Sequence, residues 1–296
     1  MPDSAAALSD LRRQIDEIDD ALHDLLIKRS ELVGRIAAAK GVSKASSPLR
    51  PAREALVLRR LVARHRGSFP VAALVRIWRE IMCAMSSLQG GLSVAVCAGE
   101  GCEGLLELAQ NHFGSVLPIT PMAGPGAVLR ALADQPTAVG VMPTPDAEDP
   151  DPWWVHLVSD DGRSPRVMAR LPVKLGRAGS QSSALVIGQS PAEPTGDDRS
   201  FLALESTQDV SRARLLARLS KVGLTAVQAM SVDDPGRNAA LPRLNLIEVN
   251  GFVDDGDPRL AVIGSDGSDG VGRAFLLGSY AAPLTLAPDA AANRAR

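Results

Sequence analysis

Residues Leu8 to Lys40 read LSDLRRQIDEIDDALHDLLIKRSELVGRIAAAK, and this stretch decides the fold of the N-terminal part of the chain. It has no proline, and its large apolar residues recur at steps of four and three: Leu11, Ile15, Ile18, Leu22, Leu25, Leu32 and Ile36. That spacing predicts one long helix with an apolar stripe along one side. Roughly 33 residues rising 1.5 Å each make a rod about 50 Å long, longer than a small domain is wide.

Two cations lie on the side of the helix that carries this stripe. Arg29 stands where the pattern asks for an apolar residue, four after Leu25 and three before Leu32, and Lys40 continues the same side. A cation that faces a core loses its hydration unless a negative group meets it. Two interpretations stay open on this helix alone: a polar residue that sets the register of a coiled coil, or an anion site inside a helical bundle.

Composition and charge restrict the classes of protein to consider. A chain of 296 residues with 45% hydrophobic residues predicts about two or three folded domains. No apolar run approaches the roughly 20 residues that cross a bilayer, and we see no signal-peptide pattern, so we expect a cytoplasmic protein without membrane contact. The three cysteines, Cys83, Cys97 and Cys102, have no metal-type spacing with the four histidines, and we expect buried thiols.

The charge is unevenly distributed along the chain. Residues 1–90 carry 15 Lys and Arg against 10 Asp and Glu, whereas the remainder carries 17 against 24. The N-terminal segment is therefore the natural receiver of an anion. Nucleic acid is a poor candidate, because the positive excess is modest and aromatic residues for base stacking are scarce there.

Two more helices complete residues 1–90. One begins at Pro51 and ends before Gly67, and the next runs over 71–89 until Gly90 ends it. The apolar side predicted for this third helix consists of Val71, Leu74, Trp78, Ile81, Met85 and Leu88. Both helices are too short to cover the long stripe, so we expect two copies of the chain to pair through their N-terminal helices.

Six polar residues near the apolar sides form the candidate site: Arg12, Arg29, Lys40, Arg53, Glu54 and Gln89. Four cations, a carboxylate and an amide suit a small dianion that carries a hydroxyl group. They include no nucleophile with a base, no paired carboxylates and no metal cluster. Such a site catalyses through shape and charge alone, without a cofactor.

Residues 8–89 resemble the all-helical class of chorismate mutases, through LRRQIDEID, LLIKRSELV, AAAKG, PAREALVLRRL and the terminal SLQ. The resemblance implies an intertwined dimer in which Arg12 reaches into the partner's site. It also implies that Arg12 and Arg29 hold the two substrate carboxylates, with Arg53 nearby. Lys40 and Gln89 would donate to the ether oxygen, and Glu54 would engage the ring hydroxyl. Met85 departs from the pattern, because some relatives carry serine there.

Residues 91–195 alternate strands and helices, which predicts a small parallel sheet. Gly99, Gly101 and Gly104 form GxGxxG after a strand, but Glu100 and Glu103 stand where a pyrophosphate would bind, so we reject a dinucleotide site. The segment resembles a shortened prephenate dehydratase domain in which AGEG, MPTPD and SSALVIG replace that family's signature residues. The resemblance therefore implies a degenerate, inactive domain.

Residues 196–296 predict the order β-α-β-β-α-β of a ferredoxin-like unit, followed by a frayed tail from Ala287. This unit resembles the ACT domain that follows prephenate dehydratases, most specifically in its closing LLGSY. The motifs that bind phenylalanine there are not visible, so control by an amino acid stays open.

The whole sequence thus predicts three domains, 1–90, 91–195 and 196–296, with chorismate mutase activity in the first. Two alternatives remain. The chain is a bifunctional chorismate mutase and prephenate dehydratase, or it is a non-catalytic regulatory partner of another enzyme of aromatic biosynthesis. Phenylpyruvate as a product would favour the first alternative, and chorismate binding without turnover would favour the second.

Overall fold

The computed structural model describes residues 3–39, 47–159, 164–175, 183–234, 238–264 and 269–285. Three helices come first: α1 (Asp3–Ala39), α2 (Pro51–Arg64) and α3 (Val71–Ser87). The long helix and the two shorter ones predicted from the sequence are confirmed. Lys40 and the tail from Ala287 lie outside the described residues.

The apolar stripe of α1 is uncovered within one chain. Its seven large apolar residues, from Leu11 to Ile36, keep between 48% and 61% of their surface exposed. Burying a side chain of this size is worth about 1.5–3 kcal/mol, so a stripe left in water forgoes much of the helix's stabilisation. None of the described helices combines the length and the apolarity needed to cross a bilayer.

The buried side of α3 differs from the predicted one. Leu58 of α2 packs with Val75 and Met82 of α3, and the buried residues of α3 are Val75, Arg79, Met82, Cys83 and Ser86. The predicted side is only half-buried, and Leu88 is 64% exposed. The two sides differ by about one residue, or roughly 100° around the helix. The reason is tertiary, because α3 packs on a helix of the α/β part as well as on α2.

A nine-stranded sheet follows the three helices. In chain order its strands are β1 (Val94–Cys97), β2 (Ile119–Met122), β3 (Val139–Pro143), β4 (Arg166–Leu171), β6 (Ala184–Gly188), β7 (Asp198–Ser206), β8 (Ala226–Asp233), β9 (Arg243–Asn250) and β10 (Val271–Ala281). The short strands β5 (Lys174–Leu175) and β11 (Leu284–Thr285) pair with each other. The helices between strands are α4 (Leu105–Phe113), α5 (Pro125–Asp134), α6 (Arg212–Lys221) and α7 (Pro258–Ile263), with a 3-10 helix at Trp153–Leu157.

The spatial order of the strands is β2-β1-β3-β6-β4-β10-β7-β9-β8. As predicted, β1 pairs in parallel with both β2 and β3, with α4 and α5 as crossovers. The expectation of a wholly parallel sheet in residues 91–195 is wrong, because β6 pairs antiparallel with β3 and β4. No α-helix stands between β3 and β6 in the part of the chain that the structure describes, and parallel pairing usually needs such a crossover.

The last four strands form an antiparallel group with the order β10-β7-β9-β8. Their chain order β7-α6-β8-β9-α7-β10 is the predicted ferredoxin-like order. This group continues the first sheet, because Gly278 of β10 pairs in parallel with Val167 of β4. A Cβ at Gly278 would lie 2.3 Å from the Val167 carbonyl oxygen, so glycine permits the close approach. Residues 91–195 and 196–285 therefore share one continuous sheet.

A buried polar network also links the two groups of strands. Glu248 of β9, 1% exposed, accepts a hydrogen bond from the hydroxyl of Tyr280 on β10. Arg170 of β4 and Arg199 of β7 lie 3.4 and 3.2 Å from its oxygens. Burial, followed by the Glu248 carboxylate, raises the pKa of the Tyr280 hydroxyl, so this group stays protonated and donates. Side chains from both groups of strands therefore contact the same buried carboxylate.

The packing around β3 gives a test of the fold. A Cβ on Gly140 would lie 2.6 Å from Val128 Cγ1 and 3.0 Å from Leu132 Cδ1, both on α5. We expect Gly140→Ala to lower the free energy of unfolding by about 1–3 kcal/mol, measured by chemical denaturation. Gly126→Ala is the matched control, since its Cβ would meet only Arg130 Nη1 at 3.6 Å. Equal stability of the two variants would contradict this packing of α5 on the sheet.

Candidate functional site

The structure describes five of the six candidate residues, which lie on or directly after the three N-terminal helices. Arg12 is exposed on α1, Arg53 is exposed in the first turn of α2, and Gln89 is exposed just after α3. Arg29 is half-buried and Glu54 is buried. In the described part of the chain, no hydrogen bond or ion pair joins any two of these five.

Arg29 is the candidate whose surroundings are unusual. Its Nη1 atom is buried and has no hydrogen-bond partner among the described residues. Desolvation lowers the pKa of Arg29 from its ordinary value, because burial disfavours the charged form. Buried polar atoms in folded proteins nearly always have a partner. An acceptor from outside the chain, such as an anionic group, would satisfy this nitrogen.

Glu54 is held by a residue that was not among the candidates. Its Oε2 accepts a hydrogen bond from Arg79 Nη1, and the two residues are 8% and 4% exposed. No described residue donates to its other oxygen, Oε1.

Arg79 also binds the end of α4. Its Nε and Nη2 atoms donate to the carbonyl oxygen of His112, at 3.1 and 2.9 Å, and Nη2 lies 2.7 Å from His112 Nε2. Nη2 is also 3.7 Å from the sulfur of Cys83. Burial, followed by the charge of Arg79, holds the pKa of His112 well below its ordinary value. A neutral imidazole then accepts from the guanidinium.

The sequence pattern contained a signal for Arg79 that the predicted apolar side hid. Arg79 lies four residues after Val75 and three before Met82, on the side that the structure buries. This is the same kind of interruption that drew attention to Arg29. No comparable signal marked His112, because its role uses a backbone carbonyl at a helix end.

In the glycine-rich loop between β1 and α4, one backbone amide is occupied by a carboxylate, and the cysteine prediction is wrong. The Gly101 amide donates to Glu103 Oε1 at 3.2 Å, where a phosphate would need that amide.

Cys97 and Cys102 form a disulfide instead of two buried thiols. The four residues between the cysteines include Gly99 and Gly101, and the chain turns there so that the two Cα atoms lie 5.7 Å apart, within the range of a disulfide. Among the described residues no group of three His, Cys, Asp or Glu forms a metal site.

The two larger cavities among the described residues are not lined by the candidate residues, although the second is lined by Pro51 and Ala52, directly before Arg53. Two open clefts of about 580 and 510 Å³ lie along β10, and they share the ion pair between Arg166 and Asp255, at 3.0 Å. A small cavity of about 30 Å³ lies beside Glu54, Arg79 and His112. Of the six candidates, Glu54 alone lines any of these three cavities within the described residues.

Comparison with known proteins assigns the class of the N-terminal part. The family model described as Chorismate mutase type II matches residues 11–90, the range that contains most of α1 and all of α2 and α3. This part of the chain is therefore similar to chorismate mutase type II domains. The matched range includes all six candidate residues.

Individual relatives match a longer part of the chain. A Pseudomonas aeruginosa protein named bifunctional chorismate mutase/prephenate dehydratase is 32% identical over 146 residues, covering 48% of this chain and 40% of that protein. An Aquifex aeolicus protein of the same name is 33% identical over 141 residues, covering 46% and 38%. These alignments are longer than the 90 residues before the sheet, so they reach into the α/β part. The chain spans less than half the length of these curated relatives.

A prephenate dehydratase structure from Streptococcus mutans shows a weaker likeness. It covers 66% of this chain and 99% of that chain, at 14% sequence identity and a TM-score of 0.45. A likeness of this size assigns neither a fold family nor an activity to the sheet.

The cysteines provide a test of this part of the structure. Burial raises the pKa of the Cys83 thiol to about 11, so we expect the native protein to resist alkylation at neutral pH. Unfolding without a reductant should release one reactive thiol, and unfolding with a reductant should release three, counted by mass spectrometry after iodoacetamide treatment. Three reactive thiols without a reductant would contradict the Cys97–Cys102 pairing.

Proposed function

We propose that this chain is a chorismate mutase that converts chorismate to prephenate, without a cofactor, in the biosynthesis of phenylalanine and tyrosine. The observation that carries the proposal is the family match over 11–90, which contains all six polar residues of the candidate site. The buried, unpartnered Nη1 of Arg29 supports it, because a substrate carboxylate would supply the missing acceptor.

The reaction needs only the groups that the proposed site offers. It is a unimolecular [3,3] rearrangement, so the enzyme must hold a compact conformer and stabilise the charge that builds on the breaking ether oxygen. Lys40 and Gln89 donate hydrogen bonds to that oxygen. Arg12 and Arg29 hold the carboxylates, with Arg53 nearby. The ring hydroxyl donates to Glu54, whose Oε1 takes no hydrogen bond from the described residues.

Helix geometry supports a site built from two chains. Arg12 and Arg29 lie 17 residues apart on α1, which is about 25 Å of helix and more than one small dianion can bridge. A second copy whose α1 packs against the exposed stripe would bring its own Arg12 toward Arg29 of the first. We therefore propose a homodimer through the N-terminal helices, with Arg12 serving the partner's site.

The remaining parts of the proposal concern location and the α/β part. We place the reaction in the cytoplasm, although the Cys97–Cys102 disulfide would be unusual there. The relatives named as bifunctional favour testing for a dehydratase as well. The prephenate dehydratase signature residues are replaced in this sequence, so we propose that the α/β part is inactive, with residues 196–285 as an ACT-like unit.

Removal of the key cations should abolish the activity. We expect purified protein to consume chorismate, followed by the loss of its absorbance, and Arg29→Ala and Lys40→Ala to lower kcat/KM by about 10²–10³-fold each. Lys28→Ala is the matched control, because Lys28 is exposed and adjacent to Arg29 on α1. Product analysis should find prephenate and no phenylpyruvate.

Three outcomes would contradict this proposal. Full activity in both variants would remove the site assignment. Phenylpyruvate as a product would replace the proposal with the bifunctional enzyme. Chorismate binding without turnover would replace it with a regulatory partner.

Substitutions on α1 should separate the chains. Ile18 lies on the stripe and Ile27 lies half a turn away around the helix, and both are exposed in one chain, at 59% and 45%. A charge placed in an apolar interface loses its hydration, so we expect Ile18→Asp to shift the protein from dimer to monomer in analytical ultracentrifugation. Ile27→Asp should remain dimeric. A monomeric wild-type protein with full activity would contradict the shared site.

A further inference from the structure

The guanidinium of Arg79 divides its hydrogen bonds between two targets. Nη1 faces the Glu54 carboxylate on α2, and Nε and Nη2 face the carbonyl of His112 at the end of α4. The sheet-bearing part of the chain is thereby joined to the mutase helices through one buried side chain. This connection uses a residue that has no role in the proposed chemistry.

We propose that Arg79 is a positioning residue of the mutase site, which holds the Glu54 carboxylate in one orientation by anchoring it to α4. The inference rests on the proposed function, in which Glu54 accepts a hydrogen bond from the ring hydroxyl. It adds that the α/β part contributes to the mutase site through this anchor.

The different contacts of the two Glu54 carboxylate oxygens support this role. Arg79 engages Oε2, and Oε1 accepts nothing from the described residues. A charge-assisted hydrogen bond to one oxygen restricts the rotation of a glutamate side chain, which otherwise samples many rotamers. The second oxygen is then presented in one direction, which is what binding a hydroxyl group requires.

The anchor on α4 is firm because of where it lies. The carbonyl of His112 belongs to the last turn of α4, where carbonyl groups have no partner within the helix. The negative end of the helix dipole also favours a cation at this place. Two N–H groups on one carbonyl fix the plane of the guanidinium as well as its position.

Among the described residues, the other cations that line the cavity beside Glu54 have partners of their own. The charged and titratable groups around Glu54 are Arg79 and Cys83 on α3, His112 on α4, Arg59 on α2 and Arg170 on β4. Arg59 donates to the Thr195 hydroxyl at 2.7 Å and to three backbone carbonyls, and Arg170 faces Glu248. Cys83 and His112 are neutral near pH 7, because burial disfavours their charged forms.

The test is a pH profile of kcat and KM for the full-length chain, with chorismate as the substrate. In Arg79→Met the Glu54 carboxylate stays buried without a counter-charge, which favours its protonated form at low pH. We expect kcat to fall by about tenfold or more near pH 6 and to recover as the pH rises toward about 8.5. The wild-type profile should stay flat over this range.

Three further variants separate positioning from a general loss of stability. Arg76→Met makes the same change on the exposed side of α3 and should match the wild type. Arg79→Lys keeps the positive charge but loses the planar guanidinium that bonds to both Glu54 and His112. Its pH profile of kcat should therefore be flat, at a kcat reduced by about tenfold. Arg79→Met combined with Glu54→Gln should be slow and flat, because a glutamine does not titrate. A slope that persists in this double variant would come from His112 and would overturn the proposal.

The outcomes distinguish this inference from the proposed function. A wild-type chain that does not turn over chorismate overturns both. A wild-type chain that is active, with an Arg79→Met profile that superimposes on that of Arg76→Met, overturns only the role of Arg79. If Arg79→Met fails to fold, judged by circular dichroism, Arg79→Lys decides, and a wild-type kcat in that variant overturns the proposal.

Discussion

A guanidinium that leaves water must find acceptors for its N–H groups, and in this chain Arg79 meets that demand with groups from two other helices. The Glu54 carboxylate of α2 and the His112 carbonyl of α4 both point at it. Breaking a buried pair of this kind typically costs several kcal/mol, because the remaining charge stays uncompensated. The relative placement of α2, α3 and the first helix of the sheet therefore depends on one side chain more than on any single apolar contact.

Helices α2 and α3 are thus attached to the sheet and do not form a separate helical domain. Arg59 binds α2 to residues before β7 and after β10, so a second arginine connects the same helices to the far group of strands. In contrast, no hydrogen bond or ion pair among the described residues joins α1 to the sheet. The molecule thus combines two helices attached to the sheet with one long helix whose apolar side is exposed in one chain.

Local patterns predicted most elements of the fold, but not how those elements pack. The stripe of α1, the proline at the start of α2 and the β-α-β-α-β order each identify an element from neighbouring residues. The buried side of α3 was wrong because it depends on α4, which lies about 20 residues further along the chain. The antiparallel placement of β6 and the junction of β4 with β10 at Gly278 are likewise pairings between distant segments, and periodicity carries no information about them.

For the candidate site too, local sequence patterns indicated single residues but not their partners. Arg29 was found because a cation interrupts an apolar pattern, and its buried Nη1 agrees with that reasoning. Arg79 interrupts a pattern in the same manner on α3, yet its meaning depended on knowing which side is buried. The partner of Glu54 was thus beyond sequence reasoning, although the carboxylate itself was identified.

The junction between β4 and β10 has a consequence for how the chain can be divided. Each of these strands would otherwise end a sheet with a row of free amide and carbonyl groups, the kind of border that templates aggregation. Because β4 and β10 pair at Gly278, neither is an exposed edge strand. Removing either group of strands would leave an edge strand on the other group that could pair with another chain, so the junction protects the protein from aggregation.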